Sequence, residues 1–281
     1  MELYNYKFRP VERMIEIKHI VSAIDVVRPQ DYYFPGEMHD FWEMVFVADG
    51  EAMLTADDRV YTLTKGDIIL HKPMEFHRIW SHNRTAPHLQ IVSFSATGSG
   101  MRFFEDKVFS LDGFDHETVG RINAAFKAVI RLSKQDDATP EEYATATTQA
   151  AILLERFLFK LYEKGHHKQS QLDRTAAQYE TIVRVLNENC CRSLCIEEIA
   201  KLCQLSVSNL KRIFHMYSDI GVMKYFTSVK MRYAMQELLA GRTIAEVSER
   251  LHFSSISYFH AVFKKEVGLT PKAYIRQNRR M

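Results

Sequence analysis

An internal repeat in the last third of the chain constrains the fold more than any other feature of the sequence. Two similar units, about 49 residues apart, each predict a short helix, a tight turn, a second helix and a segment around a glycine. The two copies of that segment are YSDIGVMKYF (Tyr217–Phe226) and KEVGLTPKAYI (Lys265–Ile275). A predicted helix over Asp173–Asn189 precedes the units, and a longer one over Val222–Leu239 joins them. The repeat predicts an all-α domain with two helix-turn-helix units over residues 173–281.

The first unit, IEEIAKLCQLSVSNLKRIFHMYSDIG, has the residues that two crossed helices need. Such a unit requires a small residue at the crossing, apolar inner faces and a capped second helix. Ala200 supplies the small residue and Ser206 the cap. The apolar positions are Ile199, Cys203, Leu205, Leu210, Ile213 and Phe214. Helical spacing leaves a polar set outside this core: Ser208, Asn209, Lys211, Arg212 and His215.

The second unit repeats the pattern with different polar residues. Ser248 takes the place of Ala200, and Ser254 is the expected N-cap of the second helix. The inner face is formed by Val247, Leu251, Phe253, Phe259, Val262 and Phe263. The outward positions are Ser255, Ile256, Ser257, His260, Ala261 and Lys264.

The outward faces of the two units predict contacts to double-stranded DNA. The guanidinium fork of Arg212 fits a guanine edge or a phosphate, and shorter polar side chains add hydrogen bonds. The second face has no arginine, so we expect the first unit to read the sequence and the second to hold the DNA through Lys264 and Lys265. The predicted DNA contacts are Ser206, Ser208, Asn209, Lys211, Arg212, His215, Ser255, Ile256, Ser257, His260, Lys264 and Lys265.

Charge is divided unequally along the chain. Residues 173–281 hold 17 Lys and Arg against 10 Asp and Glu, whereas residues 1–172 hold 20 against 25. Only the basic part suits a polyanion such as nucleic acid. No apolar run approaches the ~20 residues of a membrane span, and the N-terminus has no apolar signal-peptide core, so the cytoplasm is the expected location.

Residues 173–281 resemble the double helix-turn-helix domain of the AraC/XylS family of bacterial transcription regulators. The family's signature, SxxYF…FKKxxGLTPxxY, is matched by Ser254, Tyr258, Phe259, Phe263, Lys264, Lys265, Gly268, Leu269, Thr270, Pro271 and Tyr274. A second motif, LxRxF, is matched by Leu210, Arg212 and Phe214. A third, RxxxAxxLL, fits less closely, because the family's Ala falls nearer Ala234 than the spacing implies.

Three positions depart from the pattern that this resemblance implies. His252 and Gln204 stand in the two turns where the family usually or frequently has Gly, and Ala261 stands where it usually has Arg. The apolar core is complete, so we expect the fold to be kept. The Ala261 departure weakens the prediction of base reading by the second unit.

The front part of the chain predicts antiparallel strands. From Ile15 to Phe94, short alternating runs rich in Val, Ile, Phe, Tyr and Thr are typical of a small barrel or sandwich. The turns that separate the central runs are Ala48–Gly50, Ala56–Asp58 and Lys65–Asp67.

Helical periodicity follows these strands. It predicts one helix over Glu117–Ser133 and a second over Glu141–Glu163, which Pro140 opens. Their apolar stripes can pack against the strands or against a second copy of the chain. We therefore expect a barrel at 1–105, a helical pair and possible dimerisation element at 106–164, a linker at 165–172 and the DNA-binding domain at 173–281.

The stretch from His39 to His77 resembles the cupin-type effector domain that precedes this DNA-binding unit in many family members. The matching residues are His39, Glu43, Gly50, Gly66, Asp67, Leu70, Pro73 and His77. Three interpretations stay open: His39, Glu43 and His77 bind a metal, they bind a small effector, or they only satisfy buried partners.

The sequence favours the small effector. An enzymatic cupin normally has a second His two residues after the first, and here that position is Phe41, so we expect no metal and no cofactor. Aromatic side chains near the polar residues can provide stacking walls. The predicted effector-binding residues are His39, Trp42, Glu43, Phe76, His77 and Trp80.

These expectations describe an α+β two-domain protein, with a cupin-like antiparallel β-barrel, two helices and a double helix-turn-helix. The resemblance implies a transcription regulator, more often an activator than a repressor, and not an enzyme. It also implies a sugar or related metabolite as effector, a homodimer, and RNA polymerase as a further partner. Two alternatives stay open: a metal-dependent cupin enzyme, and an effector-independent DNA-binding protein whose barrel only dimerises.

Overall fold

The computed structural model describes residues 9–57, 59–165, 174–218 and 220–278. The chain divides into two compact units. The first contains the strands, except the first two residues of the fifth, and the two helices that follow them, and the second contains the remaining helices. Most of the predicted linker, 166–172, lies outside the described residues.

The described residues of the front half of the chain form nine strands in two antiparallel sheets. They are β1 (Glu16–Val27), β2 (Tyr33–Glu37), β3 (Trp42–Asp49), β4 (Glu51–Ala56), β5 (Arg59–Thr64), β6 (Asp67–His71), β7 (His77–Ser81), β8 (His88–Thr97) and β9 (Val108–Ser110). The strand order is β1-β8-β3-β6-β9 in one sheet and β2-β7-β4-β5 in the other. The antiparallel prediction is therefore confirmed. Among the described residues the predicted barrel is not closed, because the strands form two separate sheets that share no strand.

Side chains alternate between the two faces of the five-stranded sheet, and each face has its own core. On β3, Met44 and Phe46 belong to the apolar cluster that includes the following helices. Val45 and Val47 belong instead to a cluster shared with Leu54 of the other sheet. One layer of core therefore lies between the sheets and a second lies under the helices.

Two helices cover one face of the five-stranded sheet. Helix α1 (Gly113–Leu132) begins at the N-cap Asp112, and α2 (Pro140–Lys164) begins with a capping box at Thr139. Both predicted helices are confirmed, and both contribute buried side chains to the core under the sheet. Helical spacing in the sequence places Ile152 on the apolar stripe of the second helix, but the residue is 59% exposed, so this part of the prediction was wrong.

The described residues of the second unit from 174 onward form helices joined by short turns. Its helices are α3 (Arg174–Glu188), α4 (Ile196–Leu202), α5 (Val207–Tyr217), α6 (Val222–Leu239), α7 (Ile244–Arg250), α8 (Ile256–Val267) and α9 (Pro271–Asn278). Helices α4 and α5 form the first helix-turn-helix, α7 and α8 form the second, and α6 joins them, which confirms the predicted double unit. None of the helices in the described part of the chain is long and apolar enough to cross a membrane.

Candidate nucleic-acid interface and candidate ligand site

The two helix-turn-helix units cross at small, buried residues. Ala200 and Ser248 are each 2% exposed, as the sequence predicted for the crossing positions. In both turns a backbone N–H reaches five residues back along the chain. Leu205 N donates to Ala200 O at 2.9 Å, and Phe253 N donates to Ser248 O at 3.0 Å. The two turns therefore have the same hydrogen-bonded closure despite their different sequences.

Helix α5 presents the predicted polar set on its outer side. The N-cap Ser206 accepts a hydrogen bond from Asn209 N at 3.2 Å, and Leu210 and Phe214 are buried on the inner side. The predicted contacts Ser206, Ser208, Lys211, Arg212 and His215 are exposed, and Asn209 is half-buried. Ser208, Arg212 and His215 follow one another at helical spacing and so lie on one face.

The guanidinium of Arg212 is already oriented by its own helix. Its Nη2 and Nε donate to Asn209 Oδ1 at 2.9 and 3.2 Å. Holding a long side chain in one rotamer reduces the entropy that it would lose on binding. Asn209 is therefore a positioning residue for Arg212 as well as a candidate DNA contact.

Helix α8 begins one residue later than the sequence predicted. The N-cap is Ser255, whose Oγ accepts from Tyr258 N at 3.1 Å, rather than Ser254. The predicted contacts Ser255, Ile256, Ser257, Lys264 and Lys265 are exposed, and His260 is half-buried. Ser257, His260 and Lys264 share one face, while Lys265 lies a quarter turn away. This face offers one cation where the matching face of α5 offers Arg212 beside Lys211.

The predicted effector-binding residues lie on both faces of their strands. Glu43 of β3 and His77 of β7 point between the two sheets. Trp42 precedes Glu43 and points the other way, into the core under the helices, where it is 5% exposed. Trp80 is three residues from His77, so it also points away, with its ring 6.5 Å from that of Tyr33. The prediction that Trp42 and Trp80 form walls of this site was wrong, because strand alternation turns both away.

Four side chains meet at one end of the space between the sheets. Their ligand atoms, one each from Glu37, His39, Glu43 and His77, all lie within 4.8 Å of one another. His77 Nε2 is 3.3 Å from Glu43 Oε1, and His39 Nε2 is 3.9 Å from Glu43 Oε2. Glu37 and His77 are partners across β2 and β7. The structure thus brings His39, Glu43 and His77 together and adds Glu37, which the sequence analysis missed.

Gly36 gives Glu37 its place beside His77. The backbone of Gly36 has φ 102° and passes so close to β7 that a Cβ there would lie 2.8 Å from His77 O and 2.7 Å from Phe76 Cζ. A side chain is therefore excluded by space as well as by backbone conformation. The predicted residue Phe76 is half-buried next to Gly36, at the edge of the cluster.

Backbone and side-chain contacts fix the orientation of the cluster. His39 Nδ1 bonds to Phe41 O at 2.9 Å, and its ring stacks on Phe41 with centroids 3.8 Å apart. His77 Nδ1 bonds to Glu75 O at 3.2 Å, and its ring stacks on the buried His71 at 4.1 Å. Phe41, which stands where a second cupin histidine would be, thus orients His39 instead.

Burial and the charges of neighbouring side chains shift the pKa values within the cluster. Burial lowers the pKa of His77, but the nearby Glu43 carboxylate outweighs this and leaves the pKa above its ordinary value. Burial raises the pKa of Glu43, but His77, His71 and His39 leave it below its ordinary value. Burial, together with the charge on His77, lowers the pKa of His39. The arrangement favours a charged Glu43–His77 pair beside a neutral His39.

Two family models match the chain. A model described as an AraC-like ligand binding domain matches residues 20–148, and one described as a helix-turn-helix domain matches residues 199–277. The two matches fall on the two units of the structure.

Several known proteins are similar over most of their length. The HTH-type transcriptional activator RhaR of Enterobacter sp. (strain 638) is 23% identical over 88% of this chain and 89% of its own. The uncharacterized HTH-type transcriptional regulator YfiF of Bacillus subtilis (strain 168) is 24% identical over 83% of this chain and 76% of its own. A crystal structure of apo ToxT from Vibrio cholerae is 16% identical, covers 95% of this chain and 98% of its own, and has a TM-score of 0.38.

Proposed function

Because the chain joins an AraC-like ligand-binding domain to a double helix-turn-helix and so belongs to the AraC/XylS family, we propose that it is a sequence-specific transcription activator controlled by a small-molecule effector. The observation that carries the proposal is the pair of capped helices, α5 and α8, that expose polar faces beside matching turns. Such helices enter successive major-groove segments, where side chains contact base edges and phosphates. The relative named as an activator supports activation as the direction of control.

The exposed faces of α5 and α8 have different roles in DNA binding. Arg212 on α5 supplies the fork that distinguishes guanine, with Asn209 holding it in place. Lys264 and Lys265 at the end of α8 supply charge to phosphates, which positions the protein without reading sequence. We therefore assign most of the specificity to α5.

The effector is proposed to bind at the cluster of Glu37, His39, Glu43 and His77, with Phe76 beside it. Polar groups that converge at the edge of an otherwise apolar space are typical of small-ligand sites. A sugar or related metabolite has the hydroxyl groups that carboxylates and imidazoles bind. An effector changes the activity only if it binds one arrangement of the protein more tightly than another.

Dimerisation through the helical pair belongs to the same proposal. Helix α2 leaves Ile152 and Phe159 59% and 43% exposed, and Phe114 at the start of α1 is 68% exposed. Large exposed apolar side chains on one surface are typical of protein–protein interfaces. A homodimer would place two DNA-binding domains on one promoter, next to RNA polymerase.

DNA binding to the region upstream of its own gene and to neighbouring promoters tests the proposal. We expect the purified full chain to prefer one of these duplexes over random DNA in the presence of competitor, across a series of salt concentrations. Equal binding to all duplexes would reject sequence-specific regulation.

A thermal-shift screen with sugars and small organic acids tests the effector separately, since saturable stabilisation by one compound is expected.

A further inference from the structure

We propose that Glu37, His39, Glu43 and His77 bind a divalent transition metal ion. Two histidines and two carboxylates converge here from β2, the turn after it, β3 and β7. Imidazole and carboxylate groups suit zinc, iron, manganese and nickel, whereas magnesium and calcium prefer oxygen ligands alone. The ion would occupy the residues assigned above to the effector, so the inference deepens the proposed function: the effector would bind beside the ion, and the ion is tested without any effector.

The hydrogen bonds of the two histidines leave the metal-binding nitrogens aimed into the cluster. A carbonyl oxygen can only accept, so Nδ1 of His39 and Nδ1 of His77 must carry the hydrogens that Phe41 O and Glu75 O accept. In the neutral rings Nε2 then carries the lone pair. Metal-binding histidines commonly donate their other ring N–H to a backbone carbonyl in this way. His39 is thus held in the tautomer that a metal requires, and His77 adopts it when the metal displaces the proton that pairs its Nε2 with Glu43.

The Nε2 atoms of both histidines face the other proposed ligands, with His77 Nε2 3.3 Å from Glu43 Oε1, rather than a hydrogen-bonding partner elsewhere in the described residues. Within the described part of the chain, both atoms are buried and neither makes a hydrogen bond. His77 is 3% exposed, so water has little access to its ring. A charged pair between His77 and Glu43 would still leave the Nε2 atom of His39 unsatisfied, 3.9 Å from Glu43 Oε2. An ion bound to all four residues would satisfy both nitrogens at once.

One of the two carboxylates, that of Glu43, is held in place, and the other, that of Glu37, is free to adjust. Glu43 Oε2 accepts from Ser93 Oγ at 3.1 Å, which orients the carboxylate towards the histidines. Ligand atoms about 2.1 Å from an ion lie roughly 3 to 4 Å apart, so a cluster within 4.8 Å needs only a small contraction. The side chain of Glu37 is 50% exposed and can move inwards. Because Glu37 is the exposed member of the cluster, an ion would enter from its side.

Metal titration of the purified full chain tests the inference. After removal of metals with a chelator, Mn²⁺, Zn²⁺ and Co²⁺ are added in competition with a chromophoric indicator. We expect one site per chain that is lost or weakened at least about tenfold by Glu43→Gln and by His39→Asn. The visible absorption spectrum of bound Co²⁺ should indicate coordination by nitrogen and oxygen atoms, as expected for two histidines and two carboxylates.

Matched variants separate this site from unspecific binding. Glu51→Gln and His19→Asn remove the same groups elsewhere on the first unit and should leave the affinity unchanged. Circular dichroism verifies that every variant is folded. Wild-type affinity in both Glu43→Gln and His39→Asn would overturn the inference, and so would failure of the wild type to bind any of the three ions.

Discussion

Gln204 and His252 occupy the same position in the two helix-turn-helix turns, and both have a left-handed backbone, with φ of 56° and 57°. Each precedes the residue whose N–H closes the turn, Leu205 in the first unit and Phe253 in the second. Both residues stand where the family usually or frequently has glycine, and the left-handed backbone explains that preference. The turn geometry is kept although neither residue favours it, because the buried helix faces on both sides determine it.

We expect His252→Gly to stabilise the second helix-turn-helix. A non-glycine residue in the left-handed region costs about 1–2 kcal/mol, while glycine costs about 0.5–1 kcal/mol of extra chain entropy on folding. The side chain of His252 is exposed, so little packing is lost. The net gain should be about 0.5–1 kcal/mol, measured by urea unfolding followed by the helical circular dichroism signal.

His252→Ala is the matched control, because it removes the same side chain but keeps the backbone preference. It should leave stability unchanged or slightly lower. If alanine stabilises as much as glycine, the side chain rather than the backbone is the source of the strain.

Ser255→Ala should destabilise α8, whereas Ser254→Ala should not. Ser255 accepts the hydrogen bond of Tyr258 N, and loss of an N-cap of this kind costs about 1 kcal/mol. Ser254 is exposed and caps nothing, so its change should stay within about 0.5 kcal/mol. The same urea unfolding measurement compares them. Equal losses in the two variants would contradict the assignment of the cap.

Adjacent serines explain why the sequence placed this cap wrongly. Both residues have the side chain that an N-cap needs, and the choice between them depends on where the helix begins. In the first unit one residue, Ser206, separates Leu205 from α5. In the second unit Ser254 and Ser255 separate Phe253 from α8, so the copies differ by one residue at this point. A pattern of residue types cannot determine this register.

In the front unit, too, the residue pattern predicted the secondary structure but not which face of a strand each side chain occupies. Alternating runs predicted the antiparallel strands, because a half-buried strand needs that alternation. The assignment of faces failed for Trp42 and Trp80, since proximity in sequence to Glu43 and His77 does not put a side chain on the same face. Glu37 could have been found from its spacing to His39, because residues two apart on an extended segment share a face. That signal is weak without knowing that β2 pairs with β7.

Arg212→Ala should weaken binding to the preferred DNA sequence much more than binding to random DNA. A guanidinium that binds the O6 and N7 atoms of a guanine contributes about 1–3 kcal/mol of discrimination. Fluorescence anisotropy with specific and random duplexes at fixed salt measures both affinities. Arg212→Lys keeps the charge but not the fork, so it should lose the preference while keeping most of the random binding. An equal loss on both duplexes would identify Arg212 as a phosphate contact.

Replacing Ser257 and His260 together by Ala should change the sequence preference little. These side chains lie on the outer face of α8, yet that face has Ala261 at the position that matches Arg212, so its capacity to read bases is small. Replacing Lys264 and Lys265 by Ala should instead weaken binding to every duplex and reduce the salt dependence by about two counterions. Selection of preferred sequences from a random pool, together with a salt titration, distinguishes the two effects. A new preferred sequence for the Ser257 and His260 variant would show that α8 reads DNA as well as holding it.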